Sequence, residues 1–199
     1  TNSRLRTAVQ NAKAVNMPKD RVEAAIKRAS NKDESNYEEL VYEGYAQHGV
    51  AILVETATDN TNRTVANVRS YFTKCGGTLG KTGSLDFIFN RKSIFRFEPG
   101  ELELDELELA LIDAGLEELY VEANEEGKDI GVIQTSFEDF GKMQKALDEK
   151  GITVLSAKLE RISLSTTDVN EIQAADVLKL VDKLEEDDDV QAVYHNMAE

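Results

Sequence analysis

Between Ser93 and Ile162 the hydrophobic period switches in an order that very few folds satisfy. Strand-like Ser93–Phe97 is followed by a helical stretch, Leu104–Ala114, stopped by Gly115. Strand Leu119–Glu122, a turn at Gly127, strand Ile130–Thr135, helix Phe137–Lys150 stopped by Gly151, and strand Thr153–Ile162 complete it. The order is β-α-β-β-α-β, the ferredoxin-like pattern. Because this unit is complete, the helix Glu171–Glu186 and strand Val190–His195 that follow it have no sheet of their own. Upstream lie the strand-like runs Leu40-Val41-Tyr42 and Val50–Val54, joined through Gly44 and Gly49, and a helix, Asn62–Cys75, with Val65, Val68, Tyr71 and Phe72 inward. Gly76-Gly77 ends that helix, and Leu79, a Gly-Lys-Thr-Gly turn and the strand Leu85–Phe89 follow. This upstream set lacks its final α-β, which the end of the chain supplies. The expectation is an α+β chain in which an inserted ferredoxin-like domain, 93–162, interrupts a second, discontinuous one, 37–92 plus 163–199. Val190–His195 should then pair in the sheet of Val50–Val54.

Residues 1–36 read as a small helical domain that is incomplete at its start. Leu5, Ala8, Val9, Ala12 and Val15 recur at helical spacing up to Asn16-Met17-Pro18, and Pro18 opens a second helix with the stripe Val22, Ala25, Ile26, Ala29. The pair resembles a helical hairpin more than a DNA-reading helix-turn-helix, since its turn has no glycine and its basic residues are spread over both helices. Asn31–Asn36 is polar and reads as a linker. Thr1 follows no initiator Met and the sequence opens inside a helix, so the natural chain is expected to begin earlier.

A net charge of −15 argues against a nucleic-acid partner until its distribution is seen. From Thr1 to Lys32 there are eight Lys and Arg against Asp20 and Glu23, whereas residues 101–199 hold eight bases against 27 acids. Such asymmetry points to a basic contact surface on one module. With 41% hydrophobic and 31% charged residues and two Pro, the composition is that of a folded chain. The longest apolar run, Val50–Val54, is far short of the roughly 20 residues of a membrane span. No signal peptide or anchor is visible at the start. The single cysteine, Cys75, forms no intrachain disulfide and suits a reducing cytoplasm, the expected location.

The catalytic patterns fail on their own terms. Cys75–Thr82 resembles a phosphate-binding loop, but Cys75 stands where the motif needs glycine, and a helix precedes it where a strand should. Glu122, Asn124, Glu126 and Gly127 follow a calcium-loop spacing whose twelfth position is Ile133 rather than a bidentate Glu. His48 and His195 have no second ligand at a metal-binding spacing, Glu185–Asp189 reads as an acidic helix end facing water, and Cys75 has no His nearby in sequence. No catalytic, cofactor or metal residues are assigned, and no small-molecule substrate or membrane is expected. Phe87, Phe89, Phe95 and Phe97, with Arg91, Lys92 and Arg96 between them, have the composition of a base-stacking sheet, although alternating Phe is more often core and the RNP1 pattern is absent.

A resemblance runs through the whole chain. Asn2-Ser3-Arg4-Leu5-Arg6, Asn16-Met17-Pro18-Lys19-Asp20, Tyr42-Glu43-Gly44-Tyr45, Thr58-Asp59-Asn60-Thr61-Asn62-Arg63-Thr64, Gly76-Gly77-Thr78-Leu79-Gly80 with Gly83-Ser84, and Asp188-Asp189-Val190-Gln191 with Val193-Tyr194-His195-Asn196 stand in family order. Together they resemble the YebC/PmpR family of probable transcriptional regulatory proteins, which includes the mitochondrial translational activator of cytochrome c oxidase subunit I. The resemblance implies a cytoplasmic, cofactor-free protein of one helical and two α+β domains. Family members usually begin with a basic arm containing Gly-His-Ser-Lys-Trp, and this sequence starts after it.

Two functions follow as expectations. The first is a non-enzymatic, DNA-binding transcriptional regulator that meets phosphates with Arg4, Lys13, Lys19, Arg21, Lys27 and Arg28 and with the central Arg63, Arg69, Lys74 and Lys81. The alternative is a ribosome- or mRNA-associated translation factor using the same basic face, with the acidic domain turned toward protein or solvent.

Overall fold

The computed structural model describes residues 3–30, 37–124 and 126–198, and within them every side chain except those of residues 3, 4, 14 and 28–30. The linker assigned to Asn31–Asn36 lies outside the described residues. In chain order the elements begin with helices α1 (Ser3–Ala14) and α2 (Lys19–Ser30), strands β1 (Glu38–Tyr45) and β2 (Ala51–Thr58), helix α3 (Thr61–Lys74) and strand β3 (Thr78–Leu79). Strand β4 (Phe89–Phe97), helix α4 (Leu104–Leu111), strands β5 (Leu116–Ala123) and β6 (Asp129–Ser136), helix α5 (Phe140–Glu149) and strand β7 (Val154–Ser163) follow. Helix α6 (Glu171–Glu185) and strand β8 (Val190–His195) close the chain.

These elements form a mixed α+β fold in two compact units, Thr1–Asn31 with Arg91–Glu160, and Lys32–Asn90 with Arg161–Glu199. The first unit contains the sheet β5-β6-β4-β7. Counted from β4, that is the second, third, first and fourth strand, the ferredoxin-like order. Phe95, Phe97 and Ile133 from its strands pack on Leu107 and Leu111 of α4 and on Met143 and Leu147 of α5. Each fully buried side chain of this kind contributes about 1.5–3 kcal/mol.

The second unit reaches a similar pair of layers by another route. Its sheet runs β3-β1-β2-β8. The β1–β2 hairpin occupies the centre, and β3 and β8 reach opposite edges through α3 and α6. β8 pairs antiparallel with β2, with Ile52 opposite His195 and Val54 opposite Val193. Val54, Val68, Phe72, Val177 and Leu184 form the core between this sheet and its helices.

Leu85–Phe89, expected as a strand, is instead a tight turn entering β4, with the Ile88 and Phe89 N–H groups donating to the Leu85 carbonyl at 2.8 and 3.1 Å. The reason is spacing. Leu85, Ile88 and Phe89 are three and four residues apart, so one face of a helix-like turn buries all of them against Ala51 and Leu53. β2 is therefore covered on both faces, which explains why Val50–Val54 is apolar without alternation.

Candidate nucleic-acid interface

The helical hairpin has defined ends. Asn16, at φ 55°, takes the left-handed position that closes α1. Its N–H donates to the Lys13 carbonyl at 3.0 Å and that of Met17 to the Ala12 carbonyl at 2.9 Å, a Schellman closure with Asn in the usual glycine place. The Pro18 carbonyl then accepts from Arg21 and Val22 to start α2. Lys13, Lys19, Arg21 and Lys27 project into solvent. Lys19 lies 3.5 Å from Glu23, an exposed pair worth only a few tenths of a kcal/mol. Lys13, Arg21 and Lys27 have no ion pair among the described residues. The side chains of Arg4 and Arg28 lie outside those residues.

The buried face of α1 differs from the one expected. Leu5 is 44% and Val15 76% exposed, and the buried residue is Thr7 at 5%. The Thr7 hydroxyl meets the side-chain amide of Gln144, with Oγ1 3.1 Å from Nε2 and 3.3 Å from Oε1. One turn later the Asn11 amide brackets Ala157, its Nδ2 donating to the carbonyl at 2.9 Å and its Oδ1 accepting the N–H at 3.1 Å. The helical period was legible, but the face is displaced. β7 is an edge strand whose free backbone groups need polar partners, and Thr7 and Asn11 supply them where Leu5 and Val9 could not.

In the other unit Arg69 and Lys74 on α3, and Lys81 in the turn after β3, are exposed. Arg63 is different. Its Nη2 lies 2.8 and 2.9 Å from the two Asp189 oxygens and 2.9 Å from Asp59 Oδ1, and its Nε lies 3.3 Å from Asp189 Oδ2. Two carboxylates pair with this half-exposed guanidinium, which sets it apart from the other cations of the expected interface.

Glu185, Glu186 and Asp188 are exposed, as expected of a water-facing acidic helix end, and the main exception is Asp189. It is buried and accepts from the hydroxyls of Thr64 at 2.7 Å and Thr58 at 3.1 Å. Burial pushes its carboxyl up, but hydrogen bonds from Thr64, Arg63 and Thr58 and the charge of Arg63 outweigh this and hold it below the usual carboxylate range. Asp187 turns inward as well, accepting from Asn67 Nδ2 at 3.1 Å and from the Tyr71 hydroxyl at 3.0 Å. Burial, together with that bond and the nearby acids, raises the Tyr71 phenol. The first turn of α3 and the entry to β8 are thus tied by one polar node. Its sequence signal is a donor-rich segment, Thr58 to Tyr71, and an acceptor-rich one at the far end of the chain.

Glu43 forms a second node. This carboxylate is 3% exposed and accepts from the backbone N–H of Gly83 at 2.9 Å and of Leu85 at 2.7 Å, while its own carbonyl accepts from Gly80 at 2.7 Å. Asn196 forms a third, with Oδ1 accepting from Ala51 N at 2.8 Å and Nδ2 donating to Ser165 O and Thr167 Oγ1 at 3.1 Å each. Gly76 of the loop-like segment and Gly44 of β1 belong to the same architecture. Gly76, at φ 71°, ends α3, and a Cβ at Gly44 would lie 2.5 Å from the Thr78 carbonyl and 2.7 Å from the Phe72 ring.

The aromatic strands are mostly core. Phe89, Phe95 and Phe97 are buried, and Phe87 alone of the set is exposed. Their cations are engaged too: Arg91 lies over the Phe137 ring at 4.4 Å, Lys92 meets Glu117, and Arg96 reaches Glu160 at 2.9 Å and Glu122 at 3.3 Å. Asn124 of the calcium-like spacing forms a hairpin turn, its Oδ1 accepting from Glu126 and Lys128 N–H. His48 Nε2 lies 3.4 Å from Asp176. Among the described residues no three His, Cys, Asp or Glu side chains converge as a metal-holding group, and no helix is long and apolar enough to cross a membrane.

Comparison with known proteins agrees from end to end. Residues 1–32 match the family model described as the TACO1/YebC protein N-terminal domain, and residues 37–197 that of the TACO1/YebC second and third domain. A "Probable transcriptional regulatory protein" of Cytophaga hutchinsonii is 60% identical over 199 residues, covering all of this chain and 82% of the relative. One of the same name from Flavobacterium johnsoniae is 54% identical over 198 residues, covering 100% of this chain and 81% of the relative. The crystal structure of a conserved hypothetical protein from Aquifex aeolicus superposes with a TM-score of 0.79 at 38% identity, covering 99% of this chain and 80% of that one. The motifs, the paired sheets and these relatives together place the chain in the TACO1/YebC family.

Proposed function

We propose that this chain is a non-enzymatic regulator of gene expression, working in the cytoplasm, that binds nucleic acid, with duplex DNA as the first partner. Its phosphate contacts are Lys13, Lys19, Arg21 and Lys27, with Arg4 and Arg28 of the same helices, and Arg69, Lys74 and Lys81 of the other unit. One contrast supports this reading. The sheet cations Lys92, Arg96 and Arg161, like Arg63 at the start of α3, each sit on carboxylates, whereas Lys13, Arg21 and Lys27 stand in solvent without a counter-charge among the described residues. In a chain of net charge −15, uncompensated cations gathered on one hairpin suit a polyanion, and each phosphate neutralised releases counterions from it. The relatives' name, probable transcriptional regulatory protein, favours DNA.

The test measures duplex DNA binding at several salt concentrations beside sedimentation of the tagged chain with ribosomal particles, with and without nuclease. Salt-dependent duplex binding without co-sedimentation is the expected result. Nuclease-sensitive co-sedimentation without duplex binding would replace the DNA partner by the ribosome or mRNA. Neither would overturn a nucleic-acid role.

A further inference from the structure

Phe87 is the most exposed aromatic side chain of the described residues, at 71%, although Leu85, Ile88 and Phe89 around it are buried. Its backbone is fixed from both sides. Glu43 holds the N–H groups of Gly83 and Leu85, and the Ile88 carbonyl accepts from Leu164 N at 2.7 Å. A large apolar ring in water on an immobilised turn gains nothing for the fold, and it meets a ligand without the ordering cost of a mobile loop. Lys81, also exposed, lies in the same turn, and its carbonyl accepts from Ser84 N at 3.1 Å. A fixed aromatic face in the same turn as a cation is the combination that single-stranded nucleic acid selects, with the ring stacking on a base and the cation on the backbone.

We infer that Phe87 is a stacking platform for an unpaired nucleobase, with Lys81 as its phosphate partner. The ligand is a single strand, of RNA or of locally opened DNA, because bases inside a duplex do not offer their faces. This inference rests on the nucleic-acid reading above and adds a stacking interaction that phosphate binding alone does not require. Leu164, exposed and bonded to the same turn, widens the apolar surface and makes a plain apolar partner the competing outcome.

Residues 1–199 contain no Trp, so Phe87→Trp in this 199-residue chain carries a sole indole reporter at the proposed site. Short oligouridine, oligothymidine and a duplex of mixed sequence serve as probes, with binding followed by anisotropy of a labelled strand. The indole should be quenched when either single strand saturates the protein and unchanged with duplex, and the stronger of the two single strands identifies RNA or DNA as the source. Phe87→Ala should weaken single-strand binding about tenfold at every salt concentration, with the salt slope unchanged, and Phe87→Tyr should restore it. Thermal midpoints should stay together, since the ring is solvent-exposed. An unquenched indole in a saturated complex overturns the inference while leaving phosphate binding intact. So does Phe87→Leu binding as tightly as wild type, which would mark a plain apolar contact. Failure of the wild-type chain to bind any probe at low salt would remove the nucleic-acid reading and this inference together.

Discussion

The unit built from Lys32–Asn90 and Arg161–Glu199 and the α1–α2 hairpin are both rich in charged side chains, and they use them in opposite ways. In the first, Glu43 turns toward backbone N–H groups and Asp189 and Arg63 turn toward each other, tying β1 to the Gly80–Leu85 turn and α3 to the entry of β8. In the second, Lys13, Arg21 and Lys27 turn outward and make no ion pair among the described residues. The most distinctive sequence motifs therefore mark where the fold is fastened, and the least distinctive charges are the ones the proposed function assigns to a partner. Removing an inward charge should cost stability, and removing an outward one should cost binding.

Truncating Glu43 should produce the largest stability loss. Glu43→Ala leaves the buried N–H of Leu85, the part-buried N–H of Gly83 and the Ser84 hydroxyl without their charged acceptor, at roughly 1–3 kcal/mol for the buried group and less for the others, so about 4 kcal/mol in all. Chemical denaturation measures it. A loss below about 1 kcal/mol would mean that the node is not a fastening point.

Asp189 comes next. Asp189→Ala should cost about 3 kcal/mol, since the Thr58 and Thr64 hydroxyls lose their charged acceptor. Its folded-state pKa lies below its unfolded value of about 3.9, so its stabilisation is complete above about pH 4 and is lost as pH falls through the lower, folded value. Asp189→Asn should abolish that part of the acid dependence and flatten the stability profile below pH 4. Parallel profiles of variant and wild type would contradict the assignment.

These two nodes also show how much the residues disclosed. The α+β class and the position of β8 beside β2 followed from the order of periods and from an α-β pair with no other sheet to join. The motifs were legible as motifs, but their purpose was not, because a carboxylate such as Asp189 is structural or functional according to which distant donors reach it. Leu85–Phe89 was misassigned because a five-residue apolar run does not separate a strand from a turn with one buried face. The docking face of α1 was missed for a related reason. An edge strand asks for polar atoms, and a search for apolar stripes passes over Thr7 and Asn11. For the proposed interface, composition points to the basic module, while only the fold separates the carboxylate-bound Arg63 from Lys13, Arg21 and Lys27, which have no ion pair among the described residues.

Asn11 tests that missed face with a smaller effect. Asn11→Ala should cost about 1–2 kcal/mol by releasing both backbone groups of Ala157, and Asn11→Asp, which keeps the acceptor but loses the donor, should recover only part of it. Hydrogen exchange at Ala157 should quicken in the Ala variant. Unchanged protection there would separate α1 from the β7 edge.

The smallest stability effect belongs to the outward charges, and it carries the central claim. The triple variant Lys19→Glu, Arg21→Glu, Lys27→Glu should lie within about 0.5 kcal/mol of wild type in chemical denaturation, because these side chains are exposed and make one weak pair among the described residues. Its affinity for duplex DNA or ribosomal RNA should fall at low salt, and the slope of log K against log salt should flatten by roughly 0.9 for each duplex phosphate that the variant no longer neutralises. Wild-type affinity and slope in a correctly folded triple variant would contradict the division between inward charges that fasten and outward charges that bind.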